Sequence, residues 1–237
     1  MAKIEAVLFD KDGTLIDFQK TWFAVGDAMA LAAANGDRAA ADRLLEKGGY
    51  DFAAGRFRPD SVFAAGTNAE IVALWYPELS EAERRERAIS YDAFTAVEGA
   101  RSAVPLPGLD DAIRELHARG IRLGVATNDS EEGARGTLQA LGWAELFDAV
   151  YGYDSVENPK PAADPLHAFA KAVGCAPGAI AMVGDNRHDL VMARAGGAGL
   201  AVGVLSGTGT REALATLSDV VLASASELPD FLARSQV

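Results

Sequence analysis

From Pro105 onward, short apolar runs alternate with helical stretches, and that alternation restricts the fold more than any other feature. A helix is expected over Leu109 to Arg119, closed by Gly120, where a residue free to take the left-handed conformation commonly ends a helix. A strand follows over Arg122 to Ala126, then a helix over roughly Glu131 to Leu141. Further strand-like runs are Ala149 to Tyr151, Ala179 to Val183, Leu200 to Val204 and, more weakly, Val220 to Leu222. One more run, Ile4 to Phe9, opens the chain. Strands that alternate with helices require right-handed crossovers, which build a parallel sheet covered on both faces. The expected fold class is therefore α/β, with a Rossmann-like parallel sheet. In such a sheet the ligand site lies beyond the carboxyl ends of the strands.

Between the first two strands the texture differs. From about Asp17 to Arg101 the chain is rich in Ala, Leu, Glu and Arg and shows no convincing strand. Trp22, Val25, Met29 and Ala32 recur at three- or four-residue intervals; Ile71, Leu74 and Trp75 do the same, and Ile89 and Phe94 more loosely. Gly48-Gly49, Gly55, Pro59-Asp60 and Pro77 divide this stretch into several helices. A length of 237 residues allows one large or two smaller domains. The expected organisation is a core of residues 1–16 and 102–237 with an inserted α-helical domain over 17–101.

Charge narrows the range of partners. With 22 basic and 34 acidic side chains the formal charge is −12, and no basic stretch offsets it. Such a chain repels phosphate backbones, which argues against nucleic acid. No apolar run is long enough to cross a bilayer, and the opening residues lack the pattern of a signal peptide. The single Cys175 forms no internal disulfide, so a reducing, cytoplasmic setting is expected. It sits before Ala176-Pro177-Gly178 in a helix-to-strand turn and reads as a packing residue.

The chemistry-bearing residues cluster at strand ends. The first strand ends in Asp10-Lys11-Asp12-Gly13-Thr14. Two carboxylates two residues apart point the same way if the extended path continues. One can attack phosphorus while the other handles a proton, and Gly13 lets backbone N–H groups approach the anion they hold. A calcium loop would need further acidic positions, where Leu15-Ile16 stands instead. The second strand ends in Thr127-Asn128-Asp129-Ser130, whose hydroxyls and N–H groups suit an anion and equally make an ordinary helix cap. Lys160 lies between Pro159 and Pro161 on a stiff, non-helical backbone, either aimed into a site or solvated in a loop. A later strand ends in Gly184-Asp185, with Asp189 four residues on. Both carboxylates can face a site and suit magnesium, or can simply complement the positive end of a helix. His188, between them, reads as a surface residue of the first helical turn, and His117 and His167 carry no assigned role.

Taken in order, Asp-x-Asp-Gly-Thr, Thr-Asn, Lys-Pro and Gly-Asp-x3-Asp resemble all four motifs of the haloacid dehalogenase superfamily. The resemblance spans residues 1–16 and about 102–237. It implies that Asp10 is the nucleophile, forming an aspartyl-phosphate, and that Asp12 is the general acid and base. It also implies a phosphate clamp of Thr127 and Lys160, assisted by backbone N–H groups around Asp12, Gly13 and Asn128. Mg2+ would be held by Asp10, the Asp12 carbonyl and Asp185, with Asp189 binding it or orienting its water. The carbon-attacking dehalogenases and phosphonate-cleaving relatives lack an acid at the position of Asp12, so its presence favours phosphate esters.

The helical insertion resembles the cap of phosphoglycolate phosphatases and β-phosphoglucomutases, which closes over the site and reads the leaving group. Lys11 departs from the hydrophobic residue common there in phosphoglycolate phosphatases. Within the insertion, Arg56 and Arg58 form the one basic loop segment, suited to pair a substrate carboxylate. The reading is a magnesium-dependent phosphatase of a small phosphate ester, with phosphoglycolate the first choice. The alternatives are a sugar phosphomutase, for which no cap histidine is found near Gln19-Lys20-Thr21, and a non-catalytic binding protein. An apolar cap face would serve a homodimer as readily as closure over the core, so monomer and homodimer both stay open.

Overall fold

The computed structural model describes residues 3–59 and 61–235. Asp60, part of the expected Pro59-Asp60 break, lies outside the described residues, as do Met1, Ala2, Gln236 and Val237 of the expected core. The chain opens with β1 (Ala6–Phe9), four apolar residues buried throughout, as a central parallel strand must be.

The insertion follows. Asp17 caps α1 (Phe18–Ala33) by accepting from the Lys20 amide, and Asp37 caps α2 (Arg38–Gly48) by accepting from the Ala40 amide. Next come two short strands, β2 (Tyr50–Asp51) and β3 (Arg56–Phe57), paired antiparallel. This hairpin corrects the strand-free expectation for the segment. Two residues per strand leave no alternation to read, and the turn is made by Asp51 Oδ1 accepting from the amides of Ala53 and Ala54. Helices α3 (Val62–Ala65), α4 (Asn68–Trp75) and α5 (Glu81–Ser102) complete it. Reciprocal capping boxes, Thr67 with Glu70 and Ser80 with Glu83, start the last two.

An apolar cluster of its own holds the insertion, with Trp22, Val25 and Met29 packed among Leu45, Tyr50, Phe57, Phe63, Ile71 and Trp75. Two expected positions differ. Ala32 is exposed and Ala30 takes its place in the buried stripe of α1. Ile89 and Phe94 are 63% and 38% exposed, while α5 buries Ala88, Thr95, Ala96 and Gly99. Small side chains let α5 lie close against its helical neighbours, so its inward face carries little hydrophobic signal.

The remaining elements alternate as expected: α6 (Leu109–Ala118), β4 (Arg122–Ala126), α7 (Glu131–Ala140), β5 (Ala149–Tyr151), α8 (Asp164–Val173), β6 (Ile180–Gly184) and α9 (Arg187–Gly196). β7 (Leu200–Val204), α10 (Arg211–Ala215), β8 (Val220–Leu222) and α11 (Leu228–Ser235) end the chain. The six core strands form one parallel sheet in the order β5-β4-β1-β6-β7-β8. Period-two alternation divides its side chains between two layers. Val7, Phe9, Leu123, Val125 and Val183 meet Ile113, Leu138 and Leu228 on one face. Ala6, Leu8 and Met182 meet Leu166, Phe169, Leu190 and Leu214 on the other. At 25 cal/mol per Å2, each buried Leu, Ile, Val or Phe contributes roughly 1.5–3 kcal/mol, which is what holds the strand ends in register. Strand order changes direction at β1, so the carboxyl ends of β1, β4 and β6 surround one crevice.

Candidate active site

Each strand end contributes a side chain to that crevice. Asp10 follows β1, and its amide is pinned by the Val183 carbonyl at 2.8 Å. Thr127 follows β4, buried, with its amide on the Tyr151 carbonyl and its hydroxyl accepting from the Asp129 amide. Lys160 reaches in from the loop after β5, and its ammonium donates to Asp10 Oδ1 and Asp189 Oδ1, both at 2.7 Å. Asp185 follows β6, with Asp189 in the first turn of α9 returning Oδ2 to the Asn186 amide at 3.0 Å. Asp10, Asp12, Thr127, Asn128, Lys160, Asp185 and Asp189 all line one cavity, while Gly13, also expected there, is not among its lining residues.

The loop after β7 adds partners that sequence reasoning missed. Thr208 donates its amide to Asp185 Oδ2 at 2.6 Å, and its hydroxyl lies 3.2 Å from the same oxygen. Ser206 donates to the Gly13 carbonyl at 2.7 Å. Glycine is required at two points here. Gly13 has φ +88°, and a Cβ on Gly207 would stand 2.0 Å from Asp185 Oδ2. The only sequence signal for this loop was its place after a strand end, with Ser206-Gly207-Thr208-Gly209 as turn residues.

Electrostatically the pocket is short of positive charge. Oxygens of Asp10, Asp185 and Asp189 lie within 4.8 Å of one another, and one ammonium, Lys160, answers them. Burial, then Asp189 and Asp12, push the Asp10 carboxyl up to about 7 against the pull of Lys160. Burial, then Asp10 and Asp189, hold Asp185 well above the usual carboxylate range. Burial alone would lower Lys160, but Asp10 and Asp189 outweigh it and keep the ammonium above its ordinary value. Asp10 Oδ2 is buried without a partner. Three converging carboxylates answered by one ammonium make an all-oxygen, over-negative donor set that fits a divalent cation such as magnesium. Asp189 is already engaged through both oxygens, so it suits an orienting role better than direct ligation.

Asp12 sits at the cavity edge, apart from this cluster. Lys11 Nζ lies 2.8 Å from its Oδ2 and 3.2 Å from Asp129 Oδ2, and the Trp22 indole N–H donates to its Oδ1. Lys11 is 1% exposed and its ammonium stands 5.0 Å from the centre of the Trp22 ring. Neither Lys11, Trp22 nor Asp129 was among the site residues expected from sequence.

Other expectations are corrected. Arg56 and Arg58 do not line the cavity: both are exposed, and Arg58 donates to the Glu46 carbonyl. The hairpin turns them outward, while Phe57 between them is buried. The insertion instead faces the cavity with Phe18, Trp22, Met29, Phe63 and Ile71 and with the segment Ala64 to Asn68. Asn128 ties core to insertion, its Nδ2 donating to the Ala65 carbonyl at 2.7 Å. His188 is half-buried at the cavity rather than on the open surface, because α9 directs its first turn inward.

A parallel sheet with buried carboxylates at two strand ends, a lysine between them and an inserted helical segment above defines a class of hydrolase. Residues 4–197 match the family model for haloacid dehalogenase-like hydrolases, and the chain belongs to that family. It is 32% identical over 213 residues to a phosphoglycolate phosphatase of Rhodospirillum rubrum, covering 90% of this chain and 84% of the relative. It is 31% identical to a phosphoglycolate phosphatase of Salmonella typhimurium, covering 96% and 92%. A crystal structure of a haloacid dehalogenase-like hydrolase from Bacteroides fragilis superposes with a TM-score of 0.75 at 18% identity, covering 95% of this chain and all of that one. The chain is a phosphatase, a hydrolase of phosphoric monoesters. No helix among the described residues is long and apolar enough to cross a membrane.

Proposed function

We propose that the chain hydrolyses a small-molecule phosphate monoester, with magnesium, through an aspartyl-phosphate on Asp10. One observation carries this reading. Asp10 is buried at the cavity floor with Oδ1 held by Lys160 and Oδ2 without a partner. A carboxylate tethered through one oxygen presents the other in a fixed direction, which is what an in-line attack on phosphorus needs. The family resemblance supplies the rest of the assignment.

Asp10 Oδ2 attacks phosphorus as the bond to the leaving oxygen breaks, and Asp12 gives that oxygen its proton. Asp12 then takes a proton from water as it attacks the same phosphorus, which releases inorganic phosphate and regenerates Asp10. The Thr127 hydroxyl, the Lys160 ammonium and the amides around Gly13 and Asn128 hold the phosphoryl oxygens. Asp10 and Asp185, with the Asp12 carbonyl that the family resemblance implies, would hold magnesium, and Asp189 would orient its water. When bound, the ion neutralises charge on the phosphoryl oxygens so that an anionic carboxylate can approach an anionic ester. The apolar wall from the insertion excludes water around the phosphorus.

The relatives' names support phosphoglycolate as the particular ester. The cavity wall offers neutral groups and His188 to its carboxylate, so screening pairs it with neutral alkyl and sugar phosphates. The test is phosphate release from p-nitrophenyl phosphate with magnesium or EDTA, comparing wild type with Asp10→Asn. Magnesium-dependent turnover abolished by the substitution is expected. Turnover persisting in both EDTA and the variant would overturn the mechanism.

A further inference from the structure

We propose that Lys11 and Trp22 are positioning residues for Asp12, fixing its carboxylate in the orientation from which it protonates the leaving oxygen. The inference rests on the acid role given to Asp12 above. Asp12 lies in the loop after β1 with its side chain 15% exposed, where a short carboxylate would otherwise sample several rotamers. An ion pair and a hydrogen bond remove that freedom, and they reach different oxygens. Lys11 Nζ stands 2.8 Å from Oδ2, and the Trp22 indole N–H donates to Oδ1. Two attachment points and the backbone define the plane of the carboxylate. Each carboxylate oxygen accepts about two hydrogen bonds, so lone pairs remain for the substrate.

The supports are themselves fixed. Lys11 is 1% exposed, and a buried ammonium is costly unless it is paired. Here Asp129 Oδ2 at 3.2 Å and the face of Trp22 at 5.0 Å complete its surroundings. Asp129 is held in turn by the Ser130 amide on Oδ1 at 2.8 Å. Trp22 belongs to α1 of the insertion and is buried in the insertion's own core. The carboxylate is thus suspended between a core-anchored lysine and a cap-anchored indole, so its aim depends on the insertion being packed over the core.

Leaving-group dependence separates aim from general damage. A p-nitrophenolate departs without a proton, whereas an alkoxide needs one. The ratio kcat/KM reports steps through phosphoryl transfer to Asp10, so later attack by water does not mask the effect. We would compare p-nitrophenyl phosphate with an alkyl ester, glycerol phosphate, in wild type, Trp22→Phe, Lys11→Met and Asp12→Asn. General acids contribute about 10²–10⁴-fold, so Lys11→Met is expected to lower kcat/KM for the alkyl ester about 10²-fold and Trp22→Phe about 10-fold. The loss with p-nitrophenyl phosphate should be smaller by about those factors, since any change to the cavity wall falls on both esters and cancels in their ratio. Trp22→Phe keeps an aromatic ring in the cluster, so it decides the matter if Lys11→Met does not fold. Parallel losses for the two esters, or none with the alkyl ester, while Asp12→Asn remains selective, would overturn the positioning role alone. An Asp12→Asn variant that is itself indifferent to the leaving group would overturn the acid role, and the positioning with it.

Discussion

Replacing Asp185 by Asn should stabilise the metal-free protein while removing its response to magnesium. Asp10, Asp185 and Asp189 crowd their oxygens within 4.8 Å, and Lys160 is the ammonium paired with two of them. At that separation and an effective dielectric of about 20, each like-charge pair costs about 3–4 kcal/mol. Attraction to Lys160 and partial protonation of Asp10 offset much of this, leaving a net gain of about 1–3 kcal/mol for removing one charge. Asn has the same shape and keeps an oxygen for the Thr208 amide, which now bonds Asp185 at 2.6 Å. For a chain of this size the gain corresponds to a rise in Tm of roughly 2–12 °C.

The pH dependence follows from the sign of the shift. Because burial and its neighbours raise the folded-state pKa of Asp185, the folded protein holds that proton more tightly than the unfolded chain. The stability owed to the proton is present at low pH and is lost as pH rises through the folded value. The advantage of Asn should therefore grow as pH rises and Asp185 ionises, and should shrink toward pH 5. Thermal unfolding in EDTA at both pH values measures it. In magnesium at 100 times its Kd, wild type should gain about 2.7 kcal/mol and the variant little. An Asp185→Asn protein that melts below wild type in EDTA at pH 8, or gains equally at pH 5, would refute the charge argument.

The opposite sign is expected at Lys160. Lys160→Met leaves Asp10 and Asp189 buried without their counter-ion, which should lower stability by about 3–5 kcal/mol and abolish turnover, as denaturant titration and phosphate release will show. Arg56→Ala and Arg58→Ala should leave the substrate profile unchanged, with kcat/KM within about twofold across a panel of esters, because both side chains lie outside the cavity. A selective loss on carboxylate-bearing esters would show that the hairpin reaches the substrate after all.

Much of the site was legible because its signals are local. An apolar run followed by Asp10-Lys11-Asp12-Gly13, or by Gly184-Asp185, states both the strand and the group at its end. Lys160, which the residues alone left either in the site or in a solvated loop, was placed there by the family resemblance, and it meets Asp10 across 150 residues of chain. Where the signal weakened, so did the reading. The β2–β3 hairpin is too short for alternation, and α5 hides its packing face in Ala, Thr and Gly. Arg56 and Arg58 looked like a basic loop, but which way a two-residue strand turns its side chains depends on what Phe57 packs against.

Sequence alone determined the order of the core elements, the parallel sheet and the set of groups at the ends of β1, β4 and β6, since periodicity and strand-end chemistry are properties of short segments. Only the tertiary structure decided which neutral and charged partners complete those groups. Thr208 on Asp185 and Asp129 on Lys11 join segments from different crossovers, and Trp22 reaches Asp12 only because α1 folds back over the loop after β1. Their meeting depends on how helices and loops cross above the sheet, a geometry fixed by the packed core as a whole and carried by no single stretch of residues.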